Sequence, residues 1–497
     1  MSRSAPTVGA AADLPPVQPP SIRRSSARVR VDGAELDLHY RVAGSGPPLF
    51  ALHPSPLHSA FMAPLMARLA DRATVIAPDT PGFGDSDPLP DPIHDLGPCV
   101  RAMKALRRAL GLDRVGVYGS ATGAQIAVEW AKSEPQALSG IMLDNAAAFD
   151  ETERRQILKG YLPDVTPSPD GSHLARAWLA AHDGTLFFPW QVPAAENRIA
   201  RSLGSAAAMQ VTALGYLRAG PGYAAIYRAA FRNERVGRLA QVSIPLVILR
   251  WEGSILARWT GRLDTRAWGA NVTMAHCGAS LEDRWTCLEH NLERILPADS
   301  VRAGDLCLES GRLRHVDSSF GQIRYWHPSG QPATRLLIPQ PGATGASLPD
   351  SAQQPASVVV DLPGHGGSAL PASLNFRHCV EAVRRVAAAT GATARSVAGF
   401  GASDVLAQAA AVADAATVHA AAGPADFSGV PPDLASKRAG THLFRAWHWL
   451  REQFLARNEP SPEPVRLTKM LIDLIDAQAA HRLVQEALEN QHRTDRS

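Results

Sequence analysis

The sequence predicts an α/β protein with a parallel or mostly parallel sheet and a helical insertion, followed by a second, shorter unit of the same kind. Short apolar runs alternate with segments of helical spacing, which is typical of α/β folds. The strand signals stop between residues 150 and 239 and then return. Motifs of the first half also recur in the second half in the same order.

Seven strands and three helices are predicted before residue 300, because short apolar or alternating runs are bounded by turn residues. The predicted strands are 36–42, 49–53, 74–77, 115–118, 141–143, 246–249 and 272–276. The predicted helices are 61–69, 99–110 and 124–133. Strands alternating with helices favour parallel pairing.

The insertion over 151–239 has helical spacing and contains Trp and Tyr residues. An insertion of this size between two sheet strands predicts a cap over the carboxyl ends of the strands, where open α/β sheets bind ligands. The core of the first unit is therefore assigned to residues 29–150 and 240–300. A small-molecule ligand is the predicted partner.

Three segments indicate a tandem duplication. Residues 79–86 return at 361–368, residues 117–121 at 397–401, and residues 172–178 at 441–447. The offset between the copies shrinks slowly along the chain, as it does when the second copy has lost loop residues. The second copy is assigned to residues 313–497, including cap-like helices. It ends before the equivalents of the last two strands, and residues 301–312 are assigned to a linker.

Composition excludes several classes of function. The net charge is +3, from 50 basic and 47 acidic residues, which is too small to indicate nucleic-acid binding. Five scattered cysteines without a Cys-x-x-Cys pair favour neither a disulfide framework nor a zinc site. No apolar run reaches the ~18 residues of a membrane helix.

The amino-terminal residues 1–28 are predicted to form a disordered tail, since they lack the apolar core of a secretion signal. A cytoplasmic protein without cofactor or metal is therefore expected. The Arg- and Ala-rich composition is typical of a GC-rich bacterium.

Three motifs connect the first copy with a known superfamily. They are the His-Pro-Ser-Pro loop at 53–56, the Asp-x-x-Gly-x-Gly-x-Ser segment at 79–86 and the Gly-Ser-Ala-Thr-Gly turn at 119–123. Over about residues 29–300 the sequence resembles the α/β-hydrolase superfamily, in the branch with a helical cap. The second copy resembles it from residue 313 to the end of the cap. The resemblance implies a strained strand-to-helix turn that presents a nucleophile at its centre.

The nucleophile position departs from that pattern. Ala121 stands at the centre of the turn, and Gly401 takes the same place in the second copy. Neither residue has an atom that can attack a substrate. Ser120 and Thr122 flank Ala121 and remain alternative nucleophiles, although a shift of one residue directs a side chain elsewhere.

The two partner positions also depart from the family pattern. The family acid follows the seventh strand, where this chain has Ser254 and the nearest carboxylate is Glu252. The family histidine follows the eighth strand, where residues 277–280 read Cys-Gly-Ala-Ser and His276 lies just upstream. Glu252 and His276 are therefore the candidates for a displaced acid and base.

An oxyanion site is predicted to survive beside the vacant nucleophile position. The resemblance implies that the backbone N–H groups of Thr122 and Ser55 serve as donors, while Pro54 has none to give. His53 flanks the same loop, and in relatives this histidine commonly has a structural role. These residues are the predicted binding group.

His173, Arg176 and Trp178 of the insertion recur in the second copy. They form either a ligand clamp in the cap or a packing unit in which the histidine caps a helix and the tryptophan fills the lid.

Two classes of function remain open. The first is a pseudo-hydrolase that lacks the nucleophile–acid–histidine triad and binds a small apolar or carbonyl-containing ligand, or a protein partner. The second is an active hydrolase of an ester, lactone or C–C bond, or a lyase- or isomerase-like enzyme, that uses a non-standard residue with the oxyanion site. The truncated sheet of the second copy would also expose an edge, which predicts a homodimer or packing between the copies.

Overall fold

The computed structural model describes residues 21–90, 92–199, 202–264, 266–328, 333–348, 356–391, 396–400, 403, 406, 409, 418–421 and 431–496. The chain divides into two compact units. The larger unit comprises residues 21–166 and 173–308, and the smaller unit comprises residues from 309 onwards together with residues 167–172. No helix within the described residues is both long and apolar enough to cross a membrane.

The larger unit is built on a mixed sheet whose described part has eight strands in the order β1-β2-β4-β3-β5-β6-β7-β8. These strands are β1 (Ile22–Val31), β2 (Ala34–Ala43), β3 (Pro48–Leu52), β4 (Thr74–Pro78), β5 (Val115–Ser120), β6 (Leu138–Asp144), β7 (Leu246–Trp251) and β8 (Val272–Cys277). Strand β2 pairs antiparallel with β1 and β4, and the remaining pairs are parallel. All seven predicted strands are present.

Helices of the larger unit follow most of the strands. They are α1 (Ala63–Leu69), α2 (Gly97–Ala109), α3 (Thr122–Ser133), α4 (Glu151–Gly160), α5 (Ser172–Asp183), α6 (Ala206–Ala219), α7 (Tyr223–Asn233), α8 (Val236–Leu239), α9 (Ala257–Thr260) and α10 (Leu281–Asn291). Helices α4 to α8 lie between β6 and β7 in the chain, within the range 151–239 that is assigned to the cap.

The central strands are buried on both faces, which explains why they read as continuous apolar runs. Successive side chains of β3 point to opposite faces. Leu49 and Ala51 pack in one cluster with Met66 of α1. Phe50 meets Trp130 of α3 edge to face, with 5.4 Å between the ring centroids. Helices therefore cover both faces of the sheet and fix the strand ends that carry the site.

Two boundary predictions require correction. Residues 22–28, which the sequence analysis placed in a disordered tail, form the first part of β1 and pair with β2 along its whole length. Residues 301–308, placed in the linker, belong to the larger unit. Val301 accepts a hydrogen bond from the Thr74 hydroxyl at 2.7 Å, and Leu306 accepts one from the Tyr40 hydroxyl at 2.6 Å. These buried hydroxyls need acceptors, and the segment supplies them.

A hydrogen-bonded corner follows β4 in the larger unit. The Asp79 N–H donates to the His39 carbonyl at 2.9 Å, and the Ser86 hydroxyl donates to the Asp79 carbonyl at 2.8 Å. The His39 N–H in turn donates to the Ser86 hydroxyl at 2.9 Å. The Asp79 carboxylate accepts hydrogen bonds from the Ser59 N–H at 2.6 Å and from the Asp85 N–H at 2.9 Å. It is also hydrogen-bonded to His39 Nδ1 at 2.8 Å.

The side chains of His39, Asp79 and Asp85 lie close enough together to hold a metal ion. However, hydrogen bonds already occupy both carboxylate oxygens of Asp79. Burial alone would raise the pKa of Asp79, but the imidazoles of His39 and His58 and the Arg41 guanidinium bring it well below its usual value. We therefore regard this group as a structural corner.

The smaller unit has its own sheet, whose described strands follow the order β9-β10-β12-β11-β13-β14. These strands are β9 (Leu313–Ser318), β10 (Gly321–Trp326), β11 (Arg335–Ile338), β12 (Ser357–Val360), β13 (Ser396–Phe400) and β14 (Val418–Ala421). Its named helices are α11 (Phe376–Ala389), α12 (Thr441–Leu455), α13 (Pro464–Asp476) and α14 (Gln478–Arg496). The order and the antiparallel or parallel sense of the pairs match those of β1 to β6.

The corner after β12 repeats the one after β4. The Asp361 N–H donates to the Arg324 carbonyl at 3.0 Å, and the Ser368 hydroxyl donates to the Asp361 carbonyl at 2.9 Å. The Arg324 N–H donates to the Ser368 hydroxyl at 2.8 Å, and the Gly345 N–H donates to the Asp361 carboxylate at 2.9 Å. An arginine thus replaces the histidine of the first corner while the backbone pattern stays the same.

Candidate functional site

The turn between β5 and α3 has the geometry of a nucleophile elbow. Ala121 stands at its crest with φ 48° and ψ −109°, a conformation that non-glycine residues rarely adopt. Gly119 and Gly123 flank the crest. A side chain at Gly119 would collide with the Gly123 carbonyl, and one at Gly123 with the Leu52 carbonyl. The elbow is therefore intact, but the side chain at its crest is a methyl group.

A cavity of about 310 Å³ lies above the elbow. Residues 54–57 of the loop after β3 and residues 120–122 of the elbow form part of its wall. Cap residues between Tyr161 and Glu234, several of them on α5, α6 and α7, form most of the remainder. This volume is at the lower end of the range for small-molecule sites, about 300–1,000 Å³. The cap thus encloses a space suited to a small ligand.

The cap side of the cavity is aromatic. Tyr227 and Phe231 of α7 stack with 5.0 Å between ring centroids, and Tyr161 meets Phe231 edge to face at 5.4 Å. Phe188 and Trp190 also line the cavity. Burial raises the pKa of Tyr161 and Tyr227, so both phenols are neutral at pH 7. This wall offers apolar contact area rather than charge.

The predicted oxyanion donors lie together at the cavity wall. Ser55 is 7% exposed and Thr122 is 3% exposed. Both hydroxyl oxygens are buried without a hydrogen-bond partner in the described structure. The Thr122 N–H is one of the first N–H groups of α3, which have no intrahelical acceptor. Unpaired buried hydroxyls are energetically costly, and both of these belong to residues that line the cavity.

Ser254, which stands where the superfamily has its catalytic acid, is connected to Ser120 through the side-chain amide of Asn145. The Ser254 hydroxyl donates to the Asn145 side-chain oxygen, and the Asn145 side-chain N–H₂ donates to Ser120 Oγ at 3.3 Å. Asn145, whose φ is 59°, is thus hydrogen-bonded to both serines through its side-chain amide. An amide at this position can donate a hydrogen bond but does not take up a proton at neutral pH. Within the described residues, the partner of the Ser120 hydroxyl is therefore an amide, which cannot act as a general base.

The two displaced candidates lie outside the cavity. Glu252 is exposed on the loop after β7. The His276 side chain is 59% exposed and faces Asp264 at 3.8 Å. In the turn expected to carry a histidine, Ser280 instead accepts from the Asp283 N–H at 3.0 Å and caps α10. The structure therefore does not bring Glu252 or His276 to the elbow.

An arginine that the sequence analysis did not single out reaches the cavity from α10. Arg284 Nε donates to Asp144 Oδ2 at 2.8 Å, and its Nη2 donates to the Tyr118 hydroxyl at 2.9 Å. Its guanidinium lies over the rings of Trp251 and Trp285, at 5.1 and 4.9 Å from their centroids. No motif marks Arg284, since an arginine in the first turns of a helix is ordinarily a surface residue.

Glu234, at the end of α7, is the second ionisable residue that the sequence analysis missed. It is 6% exposed, lines the cavity and accepts the Ala147 N–H at 2.8 Å. Burial raises its pKa to about 8, although that hydrogen bond and the nearby Arg154 guanidinium favour the charged form. The carboxyl is therefore mainly protonated at pH 7.

The other predicted binding residues do not line the cavity. His53 is buried, and its Nε2 accepts the Thr80 N–H at 2.9 Å. Burial lowers its pKa, so the ring is neutral and serves to join two loops. His173, Arg176 and Trp178 lie on α5, but the cavity is lined by later residues of the same helix. Gly401 lies outside the described residues.

Comparison with known proteins agrees with this architecture. Residues 47–288 match a family model described as the alpha/beta hydrolase fold. This part of the chain has the α/β-hydrolase fold. The chain is 28% identical over 239 residues to 2-(acetamidomethylene)succinate hydrolase of Mesorhizobium japonicum, covering 46% of this chain and 78% of the relative. It is 38% identical over 94 residues to a soluble epoxide hydrolase of a Corynebacterium species, covering 19% and 32% respectively.

Solved structures of an esterase and a hydrolase each align with about half of the chain. A thermophilic esterase from Thermogutta terrifontis aligns at 16% identity with a TM-score of 0.42, over 55% of this chain and 98% of that one. A crystal structure of E-2-(acetamidomethylene)succinate hydrolase aligns at 22% identity with a TM-score of 0.40, over 55% and 100%.

Proposed function

We propose that the larger unit is an α/β-hydrolase-like protein that lacks the nucleophile–acid–histidine triad and binds a small apolar or carbonyl-containing ligand under its cap. The observation that carries this proposal is the methyl group of Ala121 at the crest of the elbow. Among the described residues that line the cavity there is no histidine and no aspartate. Nucleophilic catalysis needs an attacking atom and a base within hydrogen-bond reach of each other.

The remaining polar groups suit binding. Ser55 and Thr122 line the cavity, and their hydroxyl oxygens are buried and have no partner within the described residues. A ligand carbonyl oxygen placed beside them would satisfy donors that otherwise lose their hydrogen bonds. The aromatic cap wall would bury the apolar part of the same ligand.

The alternative is an active hydrolase, or a lyase- or isomerase-like enzyme, that uses Ser120 or Thr122 with the oxyanion site. The names of the relatives favour a hydrolase. The neighbours of Ser120 argue against it, because the hydroxyl accepts from the Asn145 amide rather than facing an imidazole. Thr122 Oγ1 likewise has no base within hydrogen-bond distance among the described residues.

We also propose that the smaller unit is a truncated second copy of the larger unit. Its six described strands have the order and sense of the first six strands of the larger sheet. The hydrogen bonds around Asp361 and Ser368 repeat those around Asp79 and Ser86. The three recurrent motifs in the sequence support the same origin.

Fluorine NMR with para-fluoroacetophenone and the full-length chain tests the binding proposal. We expect the ketone to bind about two- to tenfold more tightly than para-fluoro-α-methylstyrene, which has the same shape but no carbonyl oxygen. Thr212 lines the cavity from α6, whereas its neighbour Val211 is 56% exposed. Thr212→Phe should therefore abolish binding and Val211→Phe should preserve it. Ketone binding that survives Thr212→Phe would place the ligand elsewhere.

Fluorophosphonate labelling and turnover of p-nitrophenyl esters test the loss of the triad. We expect no covalent adduct and no turnover above the uncatalysed rate. Ala121→Ser should restore a hydroxyl at the crest without adding turnover that depends on this serine, because no imidazole lines the cavity within the described residues to act as its base. An adduct at Ser120 or Thr122, or turnover abolished by Ser120→Ala, would establish the active enzyme instead.

A further inference from the structure

We infer that the cavity binds its ligand through a carboxylate group, and that the Arg284 guanidinium holds this carboxylate. The inference rests on the proposed function, because it specifies the ligand class of the same cavity. The predicted ligand is a small apolar monocarboxylate.

The first support is the way in which Arg284 is fixed. Its Nε and Nη2 atoms are held by Asp144 and Tyr118, and the guanidinium lies over two indole rings. Its Nη1 atom makes no hydrogen bond to any residue within the described part of the chain. A guanidinium that is already immobilised loses little conformational entropy when an anion binds to its free N–H groups.

The second support is the distribution of charge around the cavity. Asp144 is fully buried and does not line the cavity, whereas Arg284 does. The positive end of this ion pair therefore faces the ligand space. Glu234 is the other lining residue that can carry a full charge near neutral pH, and burial raises its pKa to about 8. At pH 7 the cavity wall thus presents one cation and a mainly neutral acid.

The third support is the composition of the rest of the wall. Apart from Arg284 and Glu234, the described residues that line the cavity carry no charge that could bind a second anion or a cation. Tyr161, Phe188, Trp190 and Phe231 give an aromatic surface instead. A carboxylate in such a low-dielectric space interacts more strongly with a fixed guanidinium than it would in water. The ligand that fits both features has one carboxylate and an apolar body.

The test compares para-fluorobenzoate with para-fluoroacetophenone, which differ chiefly in charge, by fluorine NMR on the full-length protein at pH 7. We expect the carboxylate to bind about tenfold or more tightly than the ketone. Arg284→Gln should reduce this preference by about tenfold or more. Arg258, which stacks on Trp259 and does not line the cavity, provides the matched control, and Arg258→Gln should leave the preference unchanged.

A second variant guards against misfolding, because Arg284→Gln leaves Asp144 buried without its cation. The double variant Asp144→Asn, Arg284→Gln removes both charges and should show the same loss of preference. The carboxylate inference would be overturned if the unmodified protein bound both probes equally and Thr212→Phe abolished the binding of both. The proposed function would then still stand. Failure of both probes to bind would overturn the proposed function as well.

Discussion

Replacing Glu234 by glutamine should make the protein more stable than the unmodified chain at pH 9, by about 3–5 kcal/mol. Burial raises the pKa of Glu234 from 4.5 to about 8 in the folded state. Between these two values the unfolded chain releases the proton while the folded chain keeps it, so stability falls as pH rises. Below pH 4.5 the carboxyl is protonated in both states, and above pH 8 the loss is complete.

Urea unfolding from pH 4 to pH 9, followed by tryptophan fluorescence, measures this difference. The unmodified chain should lose stability across the window, and the contribution of Glu234 should be absent in Glu234→Gln. The amide keeps an oxygen to accept the Ala147 N–H, so the variant should fold. Glu252→Gln, at an exposed position, is the control and should follow the unmodified chain. Parallel stability curves for Glu234→Gln and the unmodified chain would show that Glu234 is ionised in the folded protein.

Asp79→Ala should destabilise the larger unit by about 3–5 kcal/mol. The fully buried carboxylate accepts from two backbone N–H groups, of Ser59 and Asp85, and is bonded to His39. Removing it leaves these donors without their acceptor, and the Ser59 N–H is buried away from solvent. The pKa of Asp79 is lowered in the folded state, so its contribution to stability is present at pH values above its unfolded-state pKa. This contribution is lost as the pH falls through the folded-state pKa.

Hydrogen exchange resolved to peptides measures this loss unit by unit, because a chain with two compact units need not unfold in one step. Asp79→Ala should increase exchange in β3 and β4, and Asp361→Ala should do the same in β11 and β12. Asp71→Ala, at an exposed position, is the matched control for the first substitution. Unchanged protection of β3 and β4 in Asp79→Ala would mean that the corner does not stabilise the sheet.

The central strands and the elbow could be predicted because their signals are local. Fully buried strands appear in the sequence as apolar runs. Glycines are needed at 119 and 123, because a Cβ atom at either position would collide with a backbone carbonyl. Strand β1 was missed because its first residues carry Arg and Ser side chains. It is an edge strand with a single neighbour, so its sequence need not be apolar on both faces.

The residues that give the cavity its charge could not be predicted in the same way. Arg284 reaches the site from α10, and the ion pair with Asp144 joins residues 140 positions apart. Glu234 follows a cap helix and meets Ala147 at a separation of 87 residues. Neither residue has a local pattern that distinguishes it from a solvated charge, because long-range packing determines its burial. The sequence indicates which residues stand at the catalytic positions of the superfamily, but it does not indicate which residues line the cavity.

The backbone at Ala121 has one more consequence. A residue held with φ 48° carries about 1–3 kcal/mol of conformational strain. In an active hydrolase this strained turn presents the nucleophile to the substrate. Under the proposed function this strain supports no reaction, and the packing of α3 against the sheet maintains it. The surrounding fold, rather than the residue at its crest, therefore holds this junction in shape.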